Sequence, residues 1–462
     1  MHDISDSPFW QSIRDFLKSE YHLVFATYID WFNPLGNKTA GKSRSCGALV
    51  LYCLNLPLEL QFLQENVFPV CLIPLPHEAT VWSLGHLLPH FVEAIMEFND
   101  PGQVLETWSH PEGAYVAARA YPSIADLMAS KKWIGFGSPQ SNYYCTYCNS
   151  HREDIDNLDY ESYIPRDTAT VKNQAKQWRD SVIIEQKQKL HVQTGIQYSP
   201  ILEIPYFDPV QHTVLGVMHN RLEGDAQYHL RVLWGIGCPD SQQKAGAKEM
   251  ADLQQMETED EGEYSETDTE EAGSELEELK DETINATDTS IPAHSVQNIN
   301  LSDGNTTPTQ SQFPLIGSFT SLRPPINLGE KEHGKLKAHE YLVLFTVIFP
   351  LIIPELWNAG GDDDKRHLEC FFHLVASTNI AMSYTTSDSE ADKYIEHYVQ
   401  YRNIIKSLYS CWNAVPNHHY GMHIGSLLKF WGPLACLSEF PGERLNGEFA
   451  KIQTNNHYSE YE

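Results

Sequence analysis

Three acidic residues and a pair of cysteines are the side chains in this sequence whose types and settings best suit chemistry. Asp30 closes the apolar run Val24-Phe25-Ala26-Thr27-Tyr28-Ile29 and precedes Trp31-Phe32-Asn33-Pro34. A carboxylate at the carboxyl end of a buried strand is held rigidly and can face a metal ion. The same Asp could simply open the turn before Asn-Pro. Asp126 follows the run Tyr115–Tyr121 and is either a second metal-facing acid or the N-cap of a helix from Leu127. Both acids follow strands of one inferred sheet, so the pair says more than either residue alone. Glu443 lies in Phe440-Pro441-Gly442-Glu443-Arg444-Leu445-Asn446-Gly447. It is a third metal-facing carboxylate, or an acid favoured by the dipole in the first turn of a helix starting near that residue.

Cys145-Thr146-Tyr147-Cys148 has the spacing of half a tetrahedral zinc site. Buried or redox cysteines share that spacing. Among 21 histidines, His219 and His151 are the candidates named to complete it. His219 also has Glu223 one turn later on the same helix face, where the two would bind metal or merely pair.

The elements that must position these residues are legible as hydrophobic pattern. Strand-like runs cover His22–Ile29, Cys46–Leu54, Val67–Ile73 and Tyr115–Ala120, with a helical pattern from Glu78 to about Glu97 before the last. That order reads as a mixed α/β sheet. A polar, charged helical stretch runs near Arg166–Leu190, and the chain from 324 onward is helical by pattern. The run Tyr341–Trp357, broken by Pro350 and Pro354, reads as a buried, proline-bent helix rather than a membrane span.

Composition bounds the rest. The 462 residues carry 32 Lys+Arg against 62 Asp+Glu, a net −30, which excludes a basic nucleic-acid coat or a polybasic membrane binder. Residues 249–288 alone hold 17 acidic side chains and one basic, with almost no aromatics. Such a stretch buries too little apolar area to offset its chain entropy and is expected to be a disordered insertion. The remaining −14 gives no bulk support for DNA binding, so any such surface must be local. The opening residues carry no secretory signal, and nine cysteines suit a reducing compartment. The Asn-x-Ser/Thr matches at Asn37, Asn285, Asn300 and Asn305 are then chance. No P-loop, dinucleotide loop or nucleophile elbow is present.

Taken in order, the motifs resemble CACTA-type DDE transposases, the fungal Plavaka-like branch most of all. Asp30-x-Phe32-Asn33-Pro34 with Gly36-Asn37-Lys38 is similar to the family's first catalytic segment, with Trp31 where glycine is usual. Asp126-Leu127 followed by Lys131-Lys132-x-Ile134-Gly135-Phe136 resembles the second acid segment. Cys145-x-x-Cys148, Tyr206-x-Asp208-Pro209, Met218-His219-Asn220, Leu336-Lys337-Ala338-His339-Glu340 and Phe440-x-x-Glu443-Arg444-x-Asn446-Gly447 keep the family's order.

The resemblance implies an α/β plus α architecture, in which an RNase H-like catalytic core is split by a large, mostly helical insertion. It divides the chain into a first core part at 1–137, a CxxC-containing insertion at 138–237 and an acidic disordered linker at 238–323. A helical insertion at 324–438 and a final core helix at 439–462 follow, the last expected to be truncated. It further implies Asp30, Asp126 and Glu443 as a catalytic triad holding Mg²⁺ or Mn²⁺ for DNA cleavage and strand transfer, on transposon-end DNA in the nucleus. A homo-oligomer and structural zinc on Cys145, Cys148 and His219 complete the expectation. A relic that keeps the fold and uses the acidic tract as a partner-binding arm is the alternative, and an unrelated zinc-stabilised α/β protein a third.

Overall fold

The computed structural model describes residues 1–34, 45–75, 79–236, 328, 336–410 and 412–452. The acidic tract 249–288 and the Gly36-Asn37-Lys38 motif lie outside them.

Five strands form one mixed sheet: β1 (His22–Phe32), β2 (Ser45–Cys53), β3 (Val67–Leu75), β4 (Gln103–Leu105) and β5 (Ala114–Ile124). Their order is β3-β2-β1-β5-β4. β1 is antiparallel to β2 and parallel to β5, while β2–β3 and β4–β5 are antiparallel. The central strand is buried on both faces, which explains its unbroken apolar run. Val24, Ala26 and Tyr28 point into one core with α1 (Pro8–Ser12) and the late helices. Phe25 and Ile29 point into the other with α3 (Val81–Glu97). Between β2 and β3 lie the short α2 (Leu58–Gln61) and a 3-10 turn at Gln64–Asn66.

α3 presents Leu84, Leu88, Phe91 and Ile95 to the sheet, the spacing its sequence predicts, and Thr80 caps its start. α4 (Leu127–Ile134) begins directly after β5 and stops at Gly135, whose φ of 77° suits a residue without a side chain. The charged stretch after it is two helices, α5 (Thr168–Asp180) and α6 (Ile184–Thr194).

The Met218–Ala226 segment is a π-helix, a wide turn that rotates successive side chains differently from an α-helix. It is clamped to the later helices by buried hydrogen bonds centred on one internal ion pair. Arg221 pairs with Asp225 and donates to Ser377 and Thr378 of the Asp362–Ala381 helix at 2.8 and 2.9 Å. Tyr398 of the Asp388–Leu408 helix reaches Asp225 at 3.3 Å. Arg402 on that helix donates to the His418 carbonyl at 2.7 Å and to Asp156 at 2.8 Å. Removing one partner would leave an uncompensated buried charge, so the network fixes where the π-helix sits.

One expectation needs correction. The helix Ala338–Asn358 is less buried than its apolar run suggested. Tyr341, Leu344, Phe345 and Ile353 pack inward, but Val347, Leu351, Ile352 and Leu356 face outward. A run apolar on every side does not reveal which side is covered. By length and composition this helix could cross a membrane, and among the described residues it alone passes that test.

Candidate functional site

β1 and β5 run side by side and in parallel, with Tyr28 opposite Ile124. Asp30 and Asp126 each stand two residues beyond that pair, so both acids emerge at the same end of the sheet. Asp30 lies within β1, not after it, and Asp126 is the N-cap of α4. The capping reading of Asp126 therefore holds too: Oδ1 accepts the Ala129 amide at 2.6 Å. Asp30 is fixed by three donors. Its Oδ2 accepts from Tyr28 Oη and Asn446 Nδ2, both at 2.8 Å, and its Oδ1 accepts the Trp31 amide at 2.8 Å.

Asn446 belongs to the terminal helix Phe440–Phe449. That helix docks on the end of β1 because Gly442 lies flat over the Tyr28 ring, where an added Cβ would come within 2.1 Å of ring carbons. Glu443, next in the chain, faces His219 of the π-helix, with Nε2 3.4 Å from Oε1. The other ring nitrogen of His219 is 3.1 Å from Glu223. Buried Glu439 accepts the Met218 amide at 3.2 Å through Oε2.

The electrostatics follow from this crowding. Burial pushes the Asp30 carboxyl up to about 7, the charge of Asp126 adds to the push, and the Tyr28 hydrogen bond works against it. Burial also raises Glu443 to about 7; His219 opposes it, while Glu223, Asp30 and Asp126 reinforce it. Burial alone would lower His219, but the hydrogen bond to Glu223, with Glu439, Asp126 and Glu443 nearby, holds it protonated up to about 10. One imidazolium thus stands among five carboxyl groups, a donor set with more negative charge than the protein neutralises.

Glu439 makes this measurable. Burial raises its carboxyl to about 7 from an ordinary value of 4.5. A raised folded value means the folded state holds a proton that the unfolded state has lost, so its contribution favours folding below about pH 4.5 and fades as pH climbs to 7. Glu439→Gln keeps an acceptor for the Met218 amide and cannot ionise. It should match the parent near pH 4 and be more stable at pH 8, on the order of 1–3 kcal/mol. Urea titrations at the two pH values check this, and equal stability at pH 8 would refute it.

The cysteine pair belongs to a second site. Cys145 Sγ is 3.3 Å from His423 Nε2, Cys148 Sγ is 3.3 Å from His419 Nε2, and the two imidazole nitrogens are 3.2 Å apart. All four side chains are buried, and their ligand atoms lie within 4.8 Å of one another. Four N/S donors around one zinc would be about 3.4–3.8 Å apart, so this cluster can hold a metal such as zinc after a small rearrangement. The Cys148 thiol is drawn far down by the hydrogen bond from Cys145, then by His419 and His423 against burial, which leaves a thiolate ready to ligate.

His219 is therefore not a partner of the cysteines but of the carboxylates. His151 is not one either: it starts its own short turn, beside Glu153. His419 and His423 escaped sequence reading because more than 270 residues separate them from Cys145 and Cys148. Their three-residue gap, common in zinc sites, was the available signal. Among the described residues no other group of three or more Cys, His, Asp or Glu is so tight, so the acids surrounding His219 are spread more widely. The chain matches no protein-family model and no curated protein.

Proposed function

We propose that this chain is a transposase-derived, metal-dependent DNA phosphodiester cleaving and strand-joining protein of the CACTA-type DDE class, acting in the nucleus. The observation that carries the reading is the docking of the last helix. It brings Asn446, more than 400 residues down the chain, onto Asp30 near the end of β1, and Glu443 onto His219 of the π-helix. The strand order supports an RNase H-like core: three antiparallel strands, a helix, then a strand parallel to the first. A parallel bridge from Ser123 to Thr213 continues the sheet beyond β5.

Carboxylate oxygens are the hard donors that Mg²⁺ and Mn²⁺ prefer, and a pair of ions asks for a wider donor set than a single ion does. Ions held there would supply Lewis acidity for in-line attack of water or a 3′-hydroxyl on a phosphodiester. The chain's own residues do the positioning. Tyr28 and Asn446 aim Asp30, the first turn of α4 aims Asp126, and His219 holds Glu443 while offsetting part of the charge. The cysteine–histidine cluster ties the segment after Asp126 to the segment before Glu443, which keeps the late helix in register with the sheet.

Nicking of supercoiled plasmid with Mg²⁺ or Mn²⁺ tests the reading. The parent should nick, while Asp126→Ala and Glu443→Gln should not. Nicking retained in both would overturn the assignment. The net charge of −30 favours one alternative, a non-catalytic protein whose acidic tract binds a basic partner. A folded parent that never nicks would favour it.

A further inference from the structure

An acidic chain that handles DNA must make its nucleic-acid surface locally. α5 and α6 form a helical hairpin with five basic and two acidic residues between Thr168 and Thr194, a net +3 in a chain of −30. α5 is anchored: Val171 and Ala175 enter the same core as Trp133 of α4, the helix that Asp126 caps. Arg179 is engaged with Glu203 at 2.6 Å. α6 is different, since none of its residues is buried. Lys187 lies 4.4 Å from the Trp178 ring, which joins the two helices, and Lys176 and Lys189 have no ion-pair partner among the described residues. The tip carries three successive exposed apolar residues, Val182 at 93%, Ile183 at 59% and Ile184 at 45% exposure. Water-facing runs of this kind mark an interaction site.

We propose that the α5–α6 hairpin is a duplex-DNA contact surface, with Lys176, Lys187 and Lys189 on phosphates and Val182-Ile183-Ile184 as an apolar wedge against the groove. This rests on the reading of DNA as the substrate and adds where the duplex is held outside the acid site. Charge complementarity selects the occupant: a polyanion fits a basic arm on an acidic protein. Apolar side chains that wedge between base steps beside basic anchors are a known way of gripping and bending a duplex. The rest of α6 is rich in glutamine (Gln186, Gln188, Gln193), which suits polar groove edges better than lipid.

The test is fluorescence anisotropy on a 30-base-pair duplex across a KCl series, using full-length chain with Asp30→Asn so that nothing is cut. Lys176→Glu, Lys187→Glu and Lys189→Glu together should weaken binding at least tenfold. They should also flatten the log K against log salt slope by about two to three, near 0.9 per lost phosphate contact. Val182→Ser, Ile183→Ser and Ile184→Ser together should weaken binding severalfold with the slope unchanged. Parent-like binding by the charge-reversed chain overturns the proposal, and so does absence of binding by the starting chain. It is equally overturned if the hairpin changes affect only sedimentation with phosphatidylserine vesicles, or only oligomeric state. Failure of the catalytic reading is separate: it would leave this DNA binding intact while plasmid nicking by the parent is absent.

Discussion

Asp30→Asn is expected to abolish metal-dependent nicking, by 10³-fold or more, while making the protein more stable at pH 8. The two effects share one cause. Asp30 is buried within the field of Asp126 with its carboxyl pushed up to about 7, so at pH 8 its charge is held against both burial and a like charge nearby. The amide keeps the shape and still accepts from Tyr28 Oη. It ends the repulsion, and with it the affinity for divalent ions. A gain of about 1–3 kcal/mol in urea at pH 8, shrinking toward pH 4, is the expected size. The sign follows the same rule as for Glu439: the raised carboxyl favours folding at low pH and loses that contribution as pH rises to 7. Function bought at the expense of stability is common where like charges are gathered on purpose. A variant that lost activity and stability together would point instead to a structural Asp.

Cys145→Ser is expected to be the most destabilising single change at either site. Its sulfur would leave a fully buried cluster whose other members are Cys148, three residues on, and the distant pair His419 and His423. Structural zinc sites contribute about 10–16 kcal/mol to the folding of small metal-dependent domains. An ion held here would also close the very long loop from Cys148 to His419. Even a partial loss, about 4 kcal/mol, would lower Tm by roughly 5 °C in a domain of this size. A chelator such as phenanthroline should lower the parent to nearly the same Tm and leave the variant unmoved. One zinc released per chain on thiol modification would accompany this. Equal Tm in parent and variant, with or without chelator, would show that the four side chains hold no ion.

The sheet was readable because its strands are buried on one or both faces, so apolar runs mark them. β4 was not, since its three residues are all exposed and carry no pattern. The final helix begins at Phe440, not near Glu443, because Pro441 sits in its first turn, where a missing amide hydrogen costs nothing. Read as a break, Pro-Gly hid Gly442, the residue that sets the helix on Tyr28. The acids were legible at the ends of apolar runs, but their placement at one end of the sheet was not. It depends on a parallel pairing of β1 with β5 and on a helix from the far end of the chain. His219 was misassigned for a similar reason: its i, i+4 pairing with Glu223 was visible, but its other neighbour, Glu443, lies across the fold. Zinc ligands grouped as two distant pairs pose the same difficulty, since each pair alone has ordinary explanations.

The central claim, that Asp30, Asp126 and Glu443 jointly hold divalent ions, is tested most directly by Mn²⁺. Anomalous scattering from crystals grown with Mn²⁺, collected on both sides of the manganese edge, separates it from zinc at the cysteines. The expected result is manganese within about 2–2.5 Å of carboxylate oxygens of Asp30 and Asp126, with Glu443 completing the set, and its disappearance in Asp30→Asn. Manganese found only elsewhere, or unchanged in that variant, would contradict the account.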